Sequence, residues 1–288
     1  MRDITTPDGR TLRLHEAGAS EGPVVLVQQG TPMSGLLFEP HVRDAENRGI
    51  RLVAYDRPGY GNSTPAPGRS IADAAEDVRL IADALRVEPL AVWGVSGGGP
   101  HALACGALLS DRVAAVASLA SVAPVDADGL DWLAGMGQLN LDEFAATREG
   151  PDALEDYLRD QARTTVSAEG VVQALRQLLT DVDLAVLTGD LGEYFAETMR
   201  EAVRPGIAGW RDDDLAFDSP WGFAVEEVRV PVLLWHGEQD LFVPFAHGQW
   251  LAARIPNVEA HLTAEDGHLT LLQRRIPEVH AWLLERLD

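Results

Sequence analysis

Three polar residues in separate loop segments have the types and order needed for nucleophilic catalysis. Ser96 lies in the pattern G-x-S-x-G at residues 94–98, Asp240 follows a later apolar run, and His268 follows the last one. A serine hydroxyl is a weak nucleophile until a base accepts its proton. An imidazole can act as that base, and a carboxylate can hold its tautomer and stabilise the imidazolium. The set predicts acyl transfer through a covalent intermediate on Ser96.

The glycines around Ser96 fit a sharp turn from a strand into a helix. Gly94 and Gly98 lack the Cβ atoms that would collide across such a turn, which forces the serine into a strained backbone conformation. The helix that follows would present free N–H groups and a partial positive charge to a developing oxyanion. Pro100 is compatible with the first helical turn, where its missing N–H has no intrahelical partner.

Chain order favours His268 and Asp240 as the base and the acid, although rivals remain. Both residues follow the carboxyl ends of predicted strands, where a parallel sheet gathers functional groups, and the order Ser, Asp, His suits a G-x-S-x-G enzyme. Asp126 and Asp128 are the rival acids, and Glu238 is expected to face solvent. Of the other histidines, His236 and His247 could line the site. The remaining ones are expected in early elements (His15, His41), in packing (His101) or on the surface (His261, His280).

The elements that must position these residues alternate between strand and helix patterns. A hairpin is predicted over residues 2–16, and later strands over 24–27, 50–55, 90–95, 113–119, 230–235 and 258–263. Helices are predicted over 34–48, 70–86 with Ser70 as N-cap, 97–109, 246–255 and 269–287. This alternation predicts an α/β fold with a mostly parallel sheet and helices on both faces.

The alternation stops over residues 125–225, where apolar residues recur at helical spacing and no strand pattern is evident. We therefore predict a core of residues 1–124 and 226–288, interrupted by a helical cap at 125–225. The expected substrate-pocket residues are five large side chains of the cap and Gln29; the cap residues are Trp132, Met136, Phe195, Trp210 and Trp221. The run 211–214 (Arg-Asp-Asp-Asp) reads as a solvated helix start.

Composition excludes several classes of function. The chain has 45 Asp and Glu against 23 basic residues, a net charge of -22, which argues against nucleic acid, anionic membranes and polyanionic substrates. All the basic residues are Arg, so lysine-dependent Schiff-base and phosphate-loop chemistry is unavailable. A single cysteine, a polar N-terminus and the lack of a long apolar run predict a cytoplasmic protein. No zinc-type spacing or dinucleotide motif is present, so neither metal nor cofactor is expected.

These motifs together resemble the α/β-hydrolase superfamily over residues 1–123 and 226–288. Residues 29–32 (Gln-Gly-Thr-Pro) stand where the family usually has His-Gly-x-Pro, and residues 55–63 resemble its D-x-x-G-x-G-x-S loop. The resemblance implies an α/β-hydrolase fold with a helical cap, and an oxyanion hole built from the backbone N–H groups of Thr31 and Gly97. Gln29 replaces a histidine that is expected to shape this loop.

The resemblance also narrows the reaction. Serine at the turn argues against dehalogenase and epoxide hydrolase reactions, because the relatives that catalyse them use aspartate there. Peptidase activity is disfavoured, since residues 56–59 and Gly97 depart from the pattern of proline iminopeptidases. We expect a serine esterase that acts on a small or medium, largely apolar small-molecule substrate. The alternatives are C–C, lactone, thioester or amide hydrolysis or a lyase reaction on the same residues, and, in a different class, a non-catalytic receptor or scaffold. Homo-oligomerisation is left open.

Overall fold

An eight-stranded sheet forms the centre of the computed structural model, which describes residues 1–164, 168–187 and 189–287. The strands lie in the order β1-β2-β4-β3-β5-β6-β7-β8; β1 and β2 run antiparallel to their neighbours, and the others pair in parallel. In chain order they are β1 (Arg2–Thr5), β2 (Thr11–Gly18), β3 (Val24–Gln28), β4 (Arg51–Tyr55), β5 (Leu90–Val95), β6 (Val113–Leu119), β7 (Val232–Gly237) and β8 (Val258–Thr263). The prediction of a mostly parallel α/β sheet is confirmed.

The burial of the strands matches their positions in the sheet. Every residue of β3, β5 and β7 is buried, as expected for parallel strands that are covered on both faces. The edge strand β8 has no fully buried residue. Because alternate residues of a strand point to opposite faces, Val24 and Leu26 of β3 belong to one apolar cluster and Val25 and Val27 to the other.

The helices lie on both sides of the sheet and within the segment between β6 and β7. Those outside this segment are α1 (Glu39–Asn47), α2 (Asp73–Leu85), α3 (Gly98–Leu108), α10 (Phe245–Arg254), α11 (His268–Arg274) and α12 (Ile276–Leu284). Residues of α2, α3 and α10 pack on one face, and residues of α1, α11 and α12 pack on the other. The prediction of helices on both faces is confirmed.

Two predictions about helix ends are wrong. The single terminal helix expected over 269–287 is two helices, with a break at Arg275 and Pro277 in the first turn of α12. Proline fits a first turn but disrupts a helix interior. Ser70 is not the N-cap of α2, which begins three residues later; instead its Oγ donates a hydrogen bond to Asp73 Oδ2 at 2.9 Å.

His280 was predicted on the surface, and this prediction is also wrong. Its side chain on α12 is buried, and its Nδ1 lies 2.8 Å from Asp44 Oδ2 on α1. The carboxylate partner makes the burial of a polar ring tolerable.

Six helices occupy the described part of residues 125–225, which we call the helical insertion, and no strand occurs in that part. They are α4 (Gln138–Glu149), α5 (Pro151–Thr164), α6 (Ala168–Leu175), α7 (Asp181–Leu184), α8 (Asp190–Ala202) and α9 (Ala208–Phe217). Its separation as a cap domain stays a prediction. Across the described ranges, no helix is both long enough and apolar enough to cross a membrane.

Candidate active site

Ser96 occupies a strained turn between β5 and α3. It is a non-glycine residue in the left-handed region, with φ +54°, a conformation that costs free energy and occurs often at functional sites. Its N–H donates to Leu119 O at 2.8 Å. A Cβ on Gly94 would collide with the carbonyl of Gly98, and one on Gly98 would collide with the end of β3. These close approaches explain why the turn needs both glycines.

His268 and Asp240 form a buried hydrogen-bonded pair at the carboxyl edge of the sheet. Asp240 Oδ2 lies 2.7 Å from His268 Nδ1, and Asp240 Oδ1 accepts hydrogen bonds from the N–H groups of Phe242 and Val243, each at 2.8 Å. The Phe242 ring stacks on the imidazole with centroids 4.4 Å apart. This arrangement places the proton on Nδ1 and leaves Nε2 to accept a proton.

The surroundings of His268 favour a protonated imidazole. Burial opposes the charged ring, but the charge and hydrogen bond of Asp240, with a smaller contribution from Asp183, raise the pKa of His268 above 6.5. An imidazole with such partners is a strong proton acceptor at neutral pH.

Two cavities meet at Ser96. The larger, of about 110 Å³, has mostly apolar walls and reaches into the helical insertion; its polar lining residues are Thr31, Ser96, Asn140, Glu143, Gln161 and Asp214. The smaller, of about 60 Å³, is lined by both Ser96 and His268 and otherwise mainly by apolar residues, Met33, Val95, Phe195 and Leu272 among them. The structure therefore brings the predicted nucleophile and base to one cavity.

Three of the six predicted pocket residues line these cavities. Met136 and Trp210 line the larger one, and Phe195 lines the smaller one. Trp132 and Trp221 are outside both linings. The Trp132 indole instead donates to Ala123 O at 2.7 Å, and Trp221 is buried against Phe223. Both tryptophans are buried members of the apolar cluster on one face of the sheet.

Gln29, the sixth predicted pocket residue, also lies outside both linings and shapes the loop that carries Thr31. Its Nε2 donates to Leu36 O at 2.7 Å, and its carbonyl accepts a hydrogen bond from Arg57 Nη1. Arg57 Nη2 also donates to Gly30 O at 3.3 Å. The neutral amide and the buried guanidinium together hold this loop, in which α/β-hydrolases usually have a histidine in place of Gln29.

Thr31 and Gly97, the predicted oxyanion-hole residues, both line the larger cavity beside Ser96. Among the described residues, neither backbone N–H has a hydrogen-bond acceptor, so both are available to a ligand. A Cβ on Gly97 would lie 2.5 Å from Thr31 Oγ1. Glycine at this position therefore lets the two segments approach closely.

The prediction of a solvated helix start at 211–214 is wrong. Asp213 on α9 is fully buried, with its Oδ2 2.5 Å from Arg57 Nη2 and its Oδ1 2.7 Å from Arg69 Nη2. It also accepts hydrogen bonds from Thr31 Oγ1 at 2.6 Å and from the Tyr60 hydroxyl at 2.8 Å. Burial opposes its charge, but the two guanidinium groups hold the pKa of Asp213 well below its usual range.

Asp212 and Asp214 are buried as well. Asp214 and Glu143 form a carboxyl pair in the wall of the larger cavity, where Glu143 Oε1 accepts a hydrogen bond from Trp210 Nε1 at 2.7 Å. Burial raises the pKa of both carboxyls, and the neighbouring Glu143 charge raises that of Asp214 further. Two carboxyls in such a site favour sharing one proton.

The other candidate residues lie in structural positions. His247 accepts from Ala123 N–H at 3.0 Å and donates to Trp132 O at 2.8 Å; its pKa is lowered to about 4 by burial. His236 lies 2.8 Å from Val243 O, and His101 Nδ1 lies 2.7 Å from Gly97 O. The rival acids Asp126 and Asp128 are exposed, as is Glu238.

Within the described ranges, no cluster of His, Cys, Asp or Glu side chains is arranged to hold a metal ion.

Comparisons with known proteins place the chain in the alpha/beta hydrolase family. A family model described as the alpha/beta hydrolase fold matches residues 23–274. The bifunctional esterase/perhydrolase DCH of Acinetobacter calcoaceticus is 26% identical over 255 residues, 85% of this chain and 84% of that protein. The 2-hydroxy-6-oxononadienedioate/2-hydroxy-6-oxononatrienedioate hydrolase of Cupriavidus pinatubonensis is 26% identical over 282 residues, which are 93% of this chain and 88% of that protein. A thermophilic esterase from Thermogutta terrifontis superposes with a TM-score of 0.73 at 17% identity, covering 100% of both chains, a likeness of fold.

Proposed function

Because this chain belongs to the α/β-hydrolase family, we propose that it hydrolyses carboxylic esters of small or medium, largely apolar and uncharged substrates. The relatives include an esterase/perhydrolase and a hydrolase of a dienedioate, so the family permits several reactions. The observation that carries the proposal is the strained Ser96 turn in the wall of a cavity that is also lined by His268, the hydrogen-bond partner of Asp240.

The proposed reaction has two acyl transfers. Ser96 Oγ attacks the ester carbonyl carbon while His268 Nε2 takes its proton, and the oxyanion is stabilised by the N–H groups of Thr31 and Gly97. The C–O bond then breaks, and the imidazolium gives its proton to the departing alkoxide. Water next attacks the acyl-enzyme with His268 as base, which releases the acid and restores Ser96. Each oxyanion donor is worth about 3–4 kcal/mol.

The two cavities suggest how the ester lies. His268 must protonate the leaving group and lines only the smaller cavity, so the alcohol portion belongs there. Thr31 and Gly97 are together in the lining of the larger cavity, so the acyl portion extends from them toward the helical insertion. The predominance of apolar walls in both cavities favours apolar substituents.

Charge argues against an anionic acyl group. Among the described lining residues, neither cavity contains an arginine, and the larger one contains the carboxyls of Glu143 and Asp214. A carboxylate placed there would lose its hydration without gaining a cationic partner. The cavity is therefore poorly suited to a dicarboxylate like the one in the name of the Cupriavidus relative.

The test combines active-site labelling with a substrate panel. Wild-type protein should take up one fluorophosphonate, measured by intact mass, and should turn over p-nitrophenyl acetate and butyrate. Ser96→Ala should abolish both, with kcat lower by about 10⁴-fold or more. Ser110→Ala, an exposed serine after α3, is the matched control and should behave as wild type. A wild-type enzyme that is neither labelled nor active on any ester would overturn the proposal.

A further inference from the structure

A carboxylate from the helical insertion contacts the residues that carry His268. Asp183 on α7 is fully buried, and its Oδ2 accepts a hydrogen bond from the His268 N–H at 3.0 Å. Its Oδ1 accepts from the N–H groups of Leu269 at 2.8 Å and Thr270 at 3.1 Å. One side chain therefore satisfies three successive backbone donors, the first of which belongs to the proposed base.

These donors need an acceptor from outside their own helix. The first N–H groups of a helix have no intrahelical partner, and α11 begins at His268 itself. The chain places that acceptor 85 residues away in sequence, in a different part of the fold. A Cβ on Gly267 would come within 2.7 Å of both Asp183 carboxylate oxygens, so glycine before His268 leaves room for the carboxylate.

Asp183 also acts on His268 through its charge. Among the described residues, the titratable groups near the imidazole are Asp240, hydrogen-bonded to Nδ1; His236, whose Nε2 is 3.8 Å from Asp240 Oδ2; and Asp183. Burial raises the pKa of Asp183 above its usual value, although the nearby imidazole and the three N–H donors act in the opposite direction. As an anion it stabilises the imidazolium that forms when Ser96 gives up its proton.

We propose that Asp183 is a positioning residue for His268, which fixes the backbone of the base and stabilises its charged form from the helical insertion. This proposal rests on the proposed function, in which His268 is the base. Because α7 belongs to the insertion, the placement of the base depends on how the insertion packs against the loop and helix that follow β8.

The test compares Asp183→Asn with Asp181→Asn, an exposed aspartate on the same helix. Asparagine keeps the shape of the side chain but removes its negative charge and replaces one acceptor oxygen with an NH2 donor. We expect D183N to lower kcat on p-nitrophenyl butyrate by about 10- to 100-fold with little change in KM. NMR titration should show a lower His268 pKa in D183N, because a nearby negative charge is gone. D181N should match the wild type in both measurements.

The NMR titration needs no turnover, so it separates this proposal from the proposed function. If the wild type proves inactive on esters, the His268 pKa still reports whether Asp183 acts on the imidazole. A D183N protein that loses activity with an unchanged His268 pKa would overturn the proposal, since that is the result of a merely structural role. If D183N does not fold, hydrogen exchange of the backbone amides in the wild type tests the proposal instead. Slow exchange at residues 268–270 is expected, and exchange at unfolded-chain rates contradicts the proposal.

Discussion

The Asp213 carboxylate accepts a hydrogen bond from Thr31 Oγ1 at 2.6 Å across 182 residues of chain. Thr31 belongs to the loop that carries a proposed oxyanion donor, and Asp213 belongs to the helical insertion. Arg57 completes the connection, because it pairs with Asp213 and donates to the carbonyls of Gln29 and Gly30. The loop is thus held from behind by a buried ion pair, and its geometry depends on both partners.

Asp213→Asn should damage stability and catalysis together. Removing one charge from a buried ion pair leaves Arg57 and Arg69 uncompensated, which typically costs about 3–5 kcal/mol. We also expect kcat to fall by up to about 10²-fold as Thr31 loses its anchor. Urea unfolding and ester kinetics measure the two effects. Asp160→Asn, which breaks an exposed pair with Arg163, should change neither, and full kcat in D213N would refute a role for this pair in the loop.

Asp240→Asn should retain the fold and lose most of the activity. The amide cannot hold the imidazole in the required tautomer, and the comparable change in a serine protease lowers kcat by about 10⁴-fold. Circular dichroism checks the fold, and burst kinetics with p-nitrophenyl butyrate measure acylation. Glu238→Gln, in the same loop but exposed, is the control. Near-normal acylation in D240N would show that Asp240 is not the carboxylate that orients His268.

The pH dependence of kcat/KM should show an acidic limb with its midpoint above 6.5. The base must be neutral, and the pKa of His268 is raised above that value, chiefly by Asp240 against the effect of burial. Activity therefore falls as pH drops through the raised pKa. The free energy of unfolding depends on pH in the opposite direction. The stabilisation that protonated His268 contributes is complete below pH 6.5 and is lost as pH rises through the folded-state pKa. An acidic limb below 6.5 would contradict this assignment.

The protein should cleave esters with an uncharged acyl group much faster than esters with an anionic one. The carboxyl pair Glu143–Asp214 in the larger cavity predicts that p-nitrophenyl butyrate is cleaved at least about 10-fold faster, in kcat/KM, than the mono-p-nitrophenyl ester of succinate. The double variant E143Q/D214N, which removes both carboxyls, should narrow this ratio of kcat/KM values, whereas Glu149→Gln at the exposed end of the same helix should leave it unchanged. Equal rates on both esters in the wild type would show that the acyl group does not enter this cavity.

Local patterns predicted much of the framework. The bounds of β5 and β6 match the apolar runs in the sequence, because a buried parallel strand is a short continuous apolar segment. The G-x-S-x-G pattern located the strained turn because only glycine permits those backbone approaches. The carboxyl-edge rule placed Asp240 and His268 in neighbouring loops, and they meet there.

The parts that sequence reasoning missed depend on distant partners. Asp213 sits in an acidic run that ordinarily indicates a solvated helix start, and nothing local shows that Arg57 and Arg69 neutralise it. Asp183 lies in an insertion without any motif, and its partners are backbone N–H groups, which carry no sequence signal. Trp132 and Trp221 were assigned to the pocket by size, but the structure uses them in the core. A glycine directly before the proposed base was the one local hint of Asp183.

The left-handed backbone at Ser96 limits what could ever replace that residue. Side chains branched at Cβ are strongly disfavoured at positive φ, so threonine, which offers the same hydroxyl, would strain the turn before any chemistry began. Unbranched residues such as cysteine, aspartate or alanine do not meet this obstacle. The backbone conformation at residue 96 therefore restricts which side chains can be accommodated there, whatever their reactivity. Attempts to exchange the nucleophile should be confined to side chains without a branch at Cβ.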